Sequence, residues 1–156
     1  MTMPTYNQGK YAPSRPDKYV GDVKDIVYRS MWELKFMRWC DKNPAVIAWT
    51  SEYPIPYLNQ LDGRVHRYFV DFFVKMKDAQ GKEHVLMVEV KPDVQTRPPN
   101  KPKNANPKSM KRYMTECETF QINTDKWKAA DEFAKKNNMR FVIFNEYDLG
   151  IAKRGK

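Results

Sequence analysis

Cysteine, histidine and glycine are all scarce in this 156-residue chain, at two, two and six residues. Cys40 and Cys117 stand far apart and belong to no C-x-x-C pair, so no disulfide framework is expected and a reducing cytoplasm suits them. His66 and His84 lie at no metal-ligand spacing, which argues against a zinc centre. Long apolar runs are also missing. No stretch is apolar enough to span a bilayer, and the opening Met1-Thr-Met-Pro-Thr-Tyr-Asn-Gln8 lacks a signal core. The expectation is a soluble protein with no membrane partner, not exported by the usual route.

What is present describes a folded basic domain. Hydrophobic residues make up 41% of the chain and aromatics 13%, enough for a single core. Lysine and arginine number 28 against 19 acids, a net charge of +9. That excess favours a polyanion such as DNA, although basic proteins without nucleic-acid partners are common.

Residues 1–22, with Pro4, Pro13, Pro16, Gly9 and Gly21, read as an N-terminal arm, and 23–156 as a single domain. Val23, Val27, Met31 and Leu34 recur at helical spacing, predicting a helix from Val23 to about Asp41, capped by Asp22 and ended by Asn43-Pro44. Val46–Trp49 is a short apolar run, and Glu52–Tyr57 carries two prolines, which restricts it to an edge strand or extended loop. Arg64–Lys77 and His84–Lys91 alternate as strands about a turn at Asp78–Lys82. Pro92–Lys108 holds five prolines in 17 residues with Arg97, Lys101, Lys103 and Lys108, and reads as an extended loop. Two helices follow, Ser109–Phe120 and one capped by Asn123 or Thr124, then a strand over Arg140–Glu146. This order predicts an α/β fold, a mixed sheet flanked by helices.

The informative chemistry lies on the two alternating strands. Glu89 and Lys91 are two residues apart and share a strand face. Asp71 lies on the preceding strand, and a hairpin of suitable register brings it beside Glu89. Two adjacent carboxylates repel unless a cation lies between them. Hard oxygen donors suit Mg²⁺, with Mn²⁺ as a substitute, and a neighbouring lysine suits a phosphate or an attacking water. Taken alone, Glu-Val-Lys is an ordinary surface ion pair; Asp71 on the adjacent strand gives it meaning. Glu33 has two readings: an i, i+4 partner of Arg29, or a third carboxylate aimed at the metal from the helix. Arg97, Lys101 and Lys103, directly after Lys91, are candidate phosphate contacts.

Asp71 with Glu89-Val-Lys91 resembles the PD-(D/E)xK nuclease superfamily, with Val70 where that pattern usually carries proline. Tyr28-Arg-Ser-Met-Trp-Glu33 is similar to the helix motif of transposase-associated, restriction-enzyme-like nucleases. A closer resemblance is to the head completion nucleases of T-even-type tailed bacteriophages. It is carried in order by Tyr28–Glu33, Cys40-Asp-Lys-Asn-Pro44, Ala48-Trp-x-Ser-Glu52, Ile55-Pro-Tyr57, Arg67-Tyr-Phe69, Glu89-Val-Lys-Pro92 and Asn123-Thr-Asp-Lys-Trp-Lys-Ala-Ala130. The resemblance implies a restriction-endonuclease-like core and metal-dependent DNA cleavage. Asp71, Glu89 and Glu33 are then metal ligands, and Lys91 joins them as a catalytic residue. Lys126 and Lys128, at the start of the expected last helix, are candidate DNA contacts by position alone, since no motif match fixes a role for them. It further implies a role in head completion and head–tail joining, portal, connector or neck proteins as partners, and the host cytoplasm or virion neck as location. Two rival readings are a structural connector-binding protein with an idle site, and a non-catalytic DNA-binding protein.

Overall fold

The computed structural model describes residues 8–154, so the first seven residues of the expected arm lie outside the described residues. Its centre is a four-stranded mixed sheet in sequence order: β3 (Val46–Asn59), β4 (Arg64–Lys77), β5 (Glu83–Val90) and β6 (Arg140–Phe144). The first three are antiparallel, and β6 runs parallel to β5 after a crossover through α2 (Pro107–Lys136). A two-stranded ladder of β1 (Gly9–Lys10) and β2 (Val27–Tyr28) precedes α1 (Met31–Lys42).

Alternation along β5 separates two cores. Val88 and Val90 join Phe36, Met37 and Cys40 of α1, together with Phe72 and Val74. Met87 joins Ala130 and Ala134 of α2. The helices therefore cover opposite faces of the sheet, the three-layer arrangement expected of an α/β fold. Phe36 packs on Phe72 at a centroid separation of 4.5 Å, and burying such side chains contributes roughly 1.5–3 kcal/mol each.

The segment before α1 fixes that helix. Lys18 is buried, and its Nζ donates to the carbonyls of Cys40, Asp41 and Asn43 at 3.0–3.1 Å. A cation on the last carbonyls satisfies groups the helix cannot pair itself. Tyr11 and Ser14 donate to the buried Asp41 carboxylate from the same segment.

Three expected elements are corrected. The helix predicted from Val23 begins at Met31: Ser30 is its N-cap, accepting from the Glu33 amide at 3.2 Å. Asp22 caps only the short 3₁₀ turn Val23–Asp25. The apolar run at Val46 and the proline-bearing Glu52–Tyr57 form one 14-residue strand. That strand is at the sheet edge, and Pro54 and Pro56, two apart, direct both missing N–H groups to the same side. The two helices expected after the proline-rich segment are a single 30-residue helix, starting at Pro107 behind the Asn106–Ser109 capping box. Asn123 and Thr124 lie inside it; Thr124 donates back to the Phe120 carbonyl at 2.8 Å. Asp125 instead ties α2 to the β3–β4 turn, accepting from the Gln60 backbone and side chain at 2.9 Å.

Candidate active site where the central strands part

The last β4–β5 pair in register is Phe72 with Val88, so Asp71 and Glu89 are the next residues across from each other. There the ladder gives way: the Val90 amide donates to Asp71 Oδ2 at 2.8 Å rather than to a β4 carbonyl. The strands part at this point, and the carboxylate supplies the acceptor that the backbone would have offered. Glu89 is 6% exposed. Its Oε1 accepts from the Tyr68 hydroxyl at 2.8 Å, and its Oε2 lies 3.6 Å from Lys91 Nζ.

Three acids share this field. Burial holds the Asp71 carboxyl well above the usual range, and the charges of Glu89 and then Glu33 push it further. Glu33, in the first turn of α1, is likewise raised, chiefly by burial and then by Glu52 and Glu89; an Arg29 amide bond partly relieves it. Helix α1 thus brings Glu33 to the strand pair from the opposite core.

Of the two readings of Glu33, the ion pair with the Arg29 side chain does not form. Only the Arg29 backbone amide reaches Glu33 Oε1, at 3.3 Å. Its guanidinium forks onto Glu52, with Nε to Oε1 at 2.5 Å and Nη2 to Oε2 at 3.3 Å. The β3–β4 register is continuous on both sides of Glu52, which makes it the residue opposite Asp71. Glu52 is also one of two non-glycine residues with positive φ among those described, at 54°. Such a conformation costs about 1–3 kcal/mol. A half-exposed ion pair returns only ~0–1 kcal/mol, so the Arg29 contact does not offset the strain by itself. At this same row the hairpin changes partners: Phe72 and Val74 pack in the α1 core, whereas Val70 and Tyr68, of the same alternation, pack in the α2 core.

Sequence reasoning missed Tyr68, Glu52 and the placement of Arg29. Tyr68 is 3% exposed, and burial first, then the Glu89 charge, keeps its hydroxyl protonated and donating. Lys126 stands over the Tyr68 and Tyr57 rings at 5.6 and 5.9 Å, in the middle of α2 rather than at a helix start. Lys128 is exposed further along that helix. Arg97 pairs with Asp93 at 2.7 Å, and Lys101 and Lys103 are exposed. None of these last four joins the acidic cluster. His66 and His84 pair with Asp62 and Asp78 at exposed turns.

Among the described residues, no three His, Cys, Asp or Glu side chains form a ready-made metal cage. The donor set still fits Mg²⁺, which keeps several waters and takes one or two carboxylates plus substrate phosphate rather than an all-protein shell. A divalent cation would also relieve the mutual repulsion that raises Asp71 and Glu33. Replacing Tyr68 with Phe removes the bond that orients Glu89. Cleavage is expected to fall about 10–100-fold with DNA affinity retained; equal losses in both would mark Tyr68 as structural only.

Residues 43–146 match the family described as TnsA-like endonuclease N terminal. The chain is also 46% identical over 142 residues to the head completion nuclease of Enterobacteria phage T4, covering 90% of this chain and 92% of that protein. No solved structure matches the chain significantly.

Proposed function

Because the chain belongs to the TnsA-like endonuclease family, we propose that it is a divalent-metal-dependent DNA nuclease acting in phage head completion. The observation that carries the reading is the convergence of Asp71, Glu89 and Glu33, with Lys91 against Glu89, where the central strands part. A bound Mg²⁺ supplies polarisation of the scissile phosphate and a water of lowered pKa. Asp71 and Glu89 hold it, and Glu33 adds a third negative charge from α1. Tyr68 occupies one Glu89 oxygen and so fixes how the other is presented. Lys91 either takes the proton of the attacking water or stabilises charge on the phosphate as it builds.

DNA is the substrate. Exposed Arg97, Lys101 and Lys103, which follow the site, and Lys126 and Lys128 on α2 are its proposed phosphate contacts. Portal, connector or neck proteins are the proposed partners, with action in the host cytoplasm and retention in the virion neck. None of the described helices is long and apolar enough to cross a membrane.

Thermal melting tests the metal reading without any turnover. Adding Mg²⁺ is expected to raise the melting temperature of the wild-type protein, since an ion that binds only the folded acids stabilises them by mass action. In Asp71→Asn with Glu89→Gln the rise should vanish. An equal rise in that double variant would locate the ion elsewhere.

A further inference from the structure

Arg29 presents a guanidinium fork at the mouth of the acidic cluster, and a carboxylate of the same chain fills it. The bidentate contact to Glu52 has the planar two-point geometry with which arginine also takes a phosphate. Glu52 holds that place from a left-handed backbone position, across the strand pair from Asp71. Arg29 is anchored beside the cluster by its own amide, which donates to Glu33. Both side chains keep substantial exposure, at 54% for Arg29 and 36% for Glu52, so a ligand can reach the pair from solvent.

We propose that Arg29 binds a DNA backbone phosphate beside the scissile bond, and that Glu52 occupies its fork as a phosphate surrogate until DNA arrives. The inference rests on the nuclease reading. Phosphate displaces Glu52 because it offers the same two acceptors together with the rest of the polyanion. In free protein the Glu52 contact fills the fork. Once DNA is bound, Arg29 positions the phosphate and does no chemistry.

A double-mutant cycle on binding to a linear DNA duplex in EDTA, where no cleavage occurs, tests this. Glu52→Gln should tighten binding several-fold at low salt. Arg29→Ala should weaken it roughly tenfold and lower the salt-dependence slope by about one unit. The Glu52→Gln gain should disappear in the Arg29→Ala background. Arg29→Lys, which keeps the charge and loses the fork, should retain the slope and lose affinity; it replaces Arg29→Ala if that variant does not fold. A gain from Glu52→Gln that persists without Arg29 reflects net charge alone and overturns the inference, as does binding indifferent to Arg29 in a protein that cleaves DNA. A wild-type protein that neither binds nor cleaves DNA overturns the nuclease reading as well.

Discussion

Asp71→Asn is expected to abolish cleavage, by roughly 10³-fold or more, because in the proposed mechanism phosphate polarisation and water activation both depend on an ion held at Asp71. The same change should stabilise the metal-free protein. Asp71 sits half-buried beside Glu89 and Glu33, and its carboxyl is raised by desolvation and then by their charges. A carboxyl with a raised folded-state pKa binds more protons folded than unfolded, from its unfolded value of about 4 up to its folded value. Wild type therefore loses stability as pH rises through that window, and asparagine does not titrate. The variant should melt higher at neutral pH, and the gap should close by about pH 3.5. Asparagine keeps an acceptor for the Val90 amide, so the strand junction is preserved. Melting at neutral pH below wild type would show that the charge is paired in the metal-free fold.

Lys91→Ala is expected to lower cleavage by ~10²–10⁴-fold, whether lysine serves as base or as charge stabiliser. Its Nζ is 3.6 Å from Glu89 Oε2 and only 21% of the side chain is exposed, so it is held beside the acids. Mg²⁺ affinity should be kept or improved, since a positive neighbour leaves the donor set. Lys91→Arg separates the roles. Arginine retains charge without giving up a proton, so partial rescue marks charge stabilisation and no rescue marks the base. Cleavage within about threefold of wild type in Lys91→Ala would remove it from the chemistry.

The part of this site carried by local pattern was legible in the sequence. Period-two alternation places Glu89 and Lys91 on one face, and the turn at Asp78–Lys82 implies the hairpin that sets Asp71 opposite Glu89. Residues whose roles depend on distant register were not legible. Tyr68 reaches Glu89 only because β4 parts from β5 at Asp71, and Glu52 faces Asp71 only through the β3–β4 pairing. Arg29 was misassigned for a related reason. A helix drawn from Val23 makes Arg29 and Glu33 i, i+4 neighbours, whereas Ser30 starts the helix one residue later and releases the Arg29 side chain to β3. Ser30-x-x-Glu33 carries the signature of a capped helix start and could have corrected the boundary. The break drawn at Asn123-Thr124 shows the converse error. Polar residues that favour caps in isolation are tolerated mid-helix when Asp125 gains tertiary bonds to Gln60.

Supercoiled DNA incubated with wild-type protein and with Asp71→Asn, each in Mg²⁺ and in EDTA, decides whether cleavage depends on both the ion and Asp71. Strand breaks are expected in one of the four reactions, wild type with Mg²⁺. Breaks by wild type in EDTA, or by Asp71→Asn at the wild-type rate in Mg²⁺, would contradict a metal-dependent site built on Asp71.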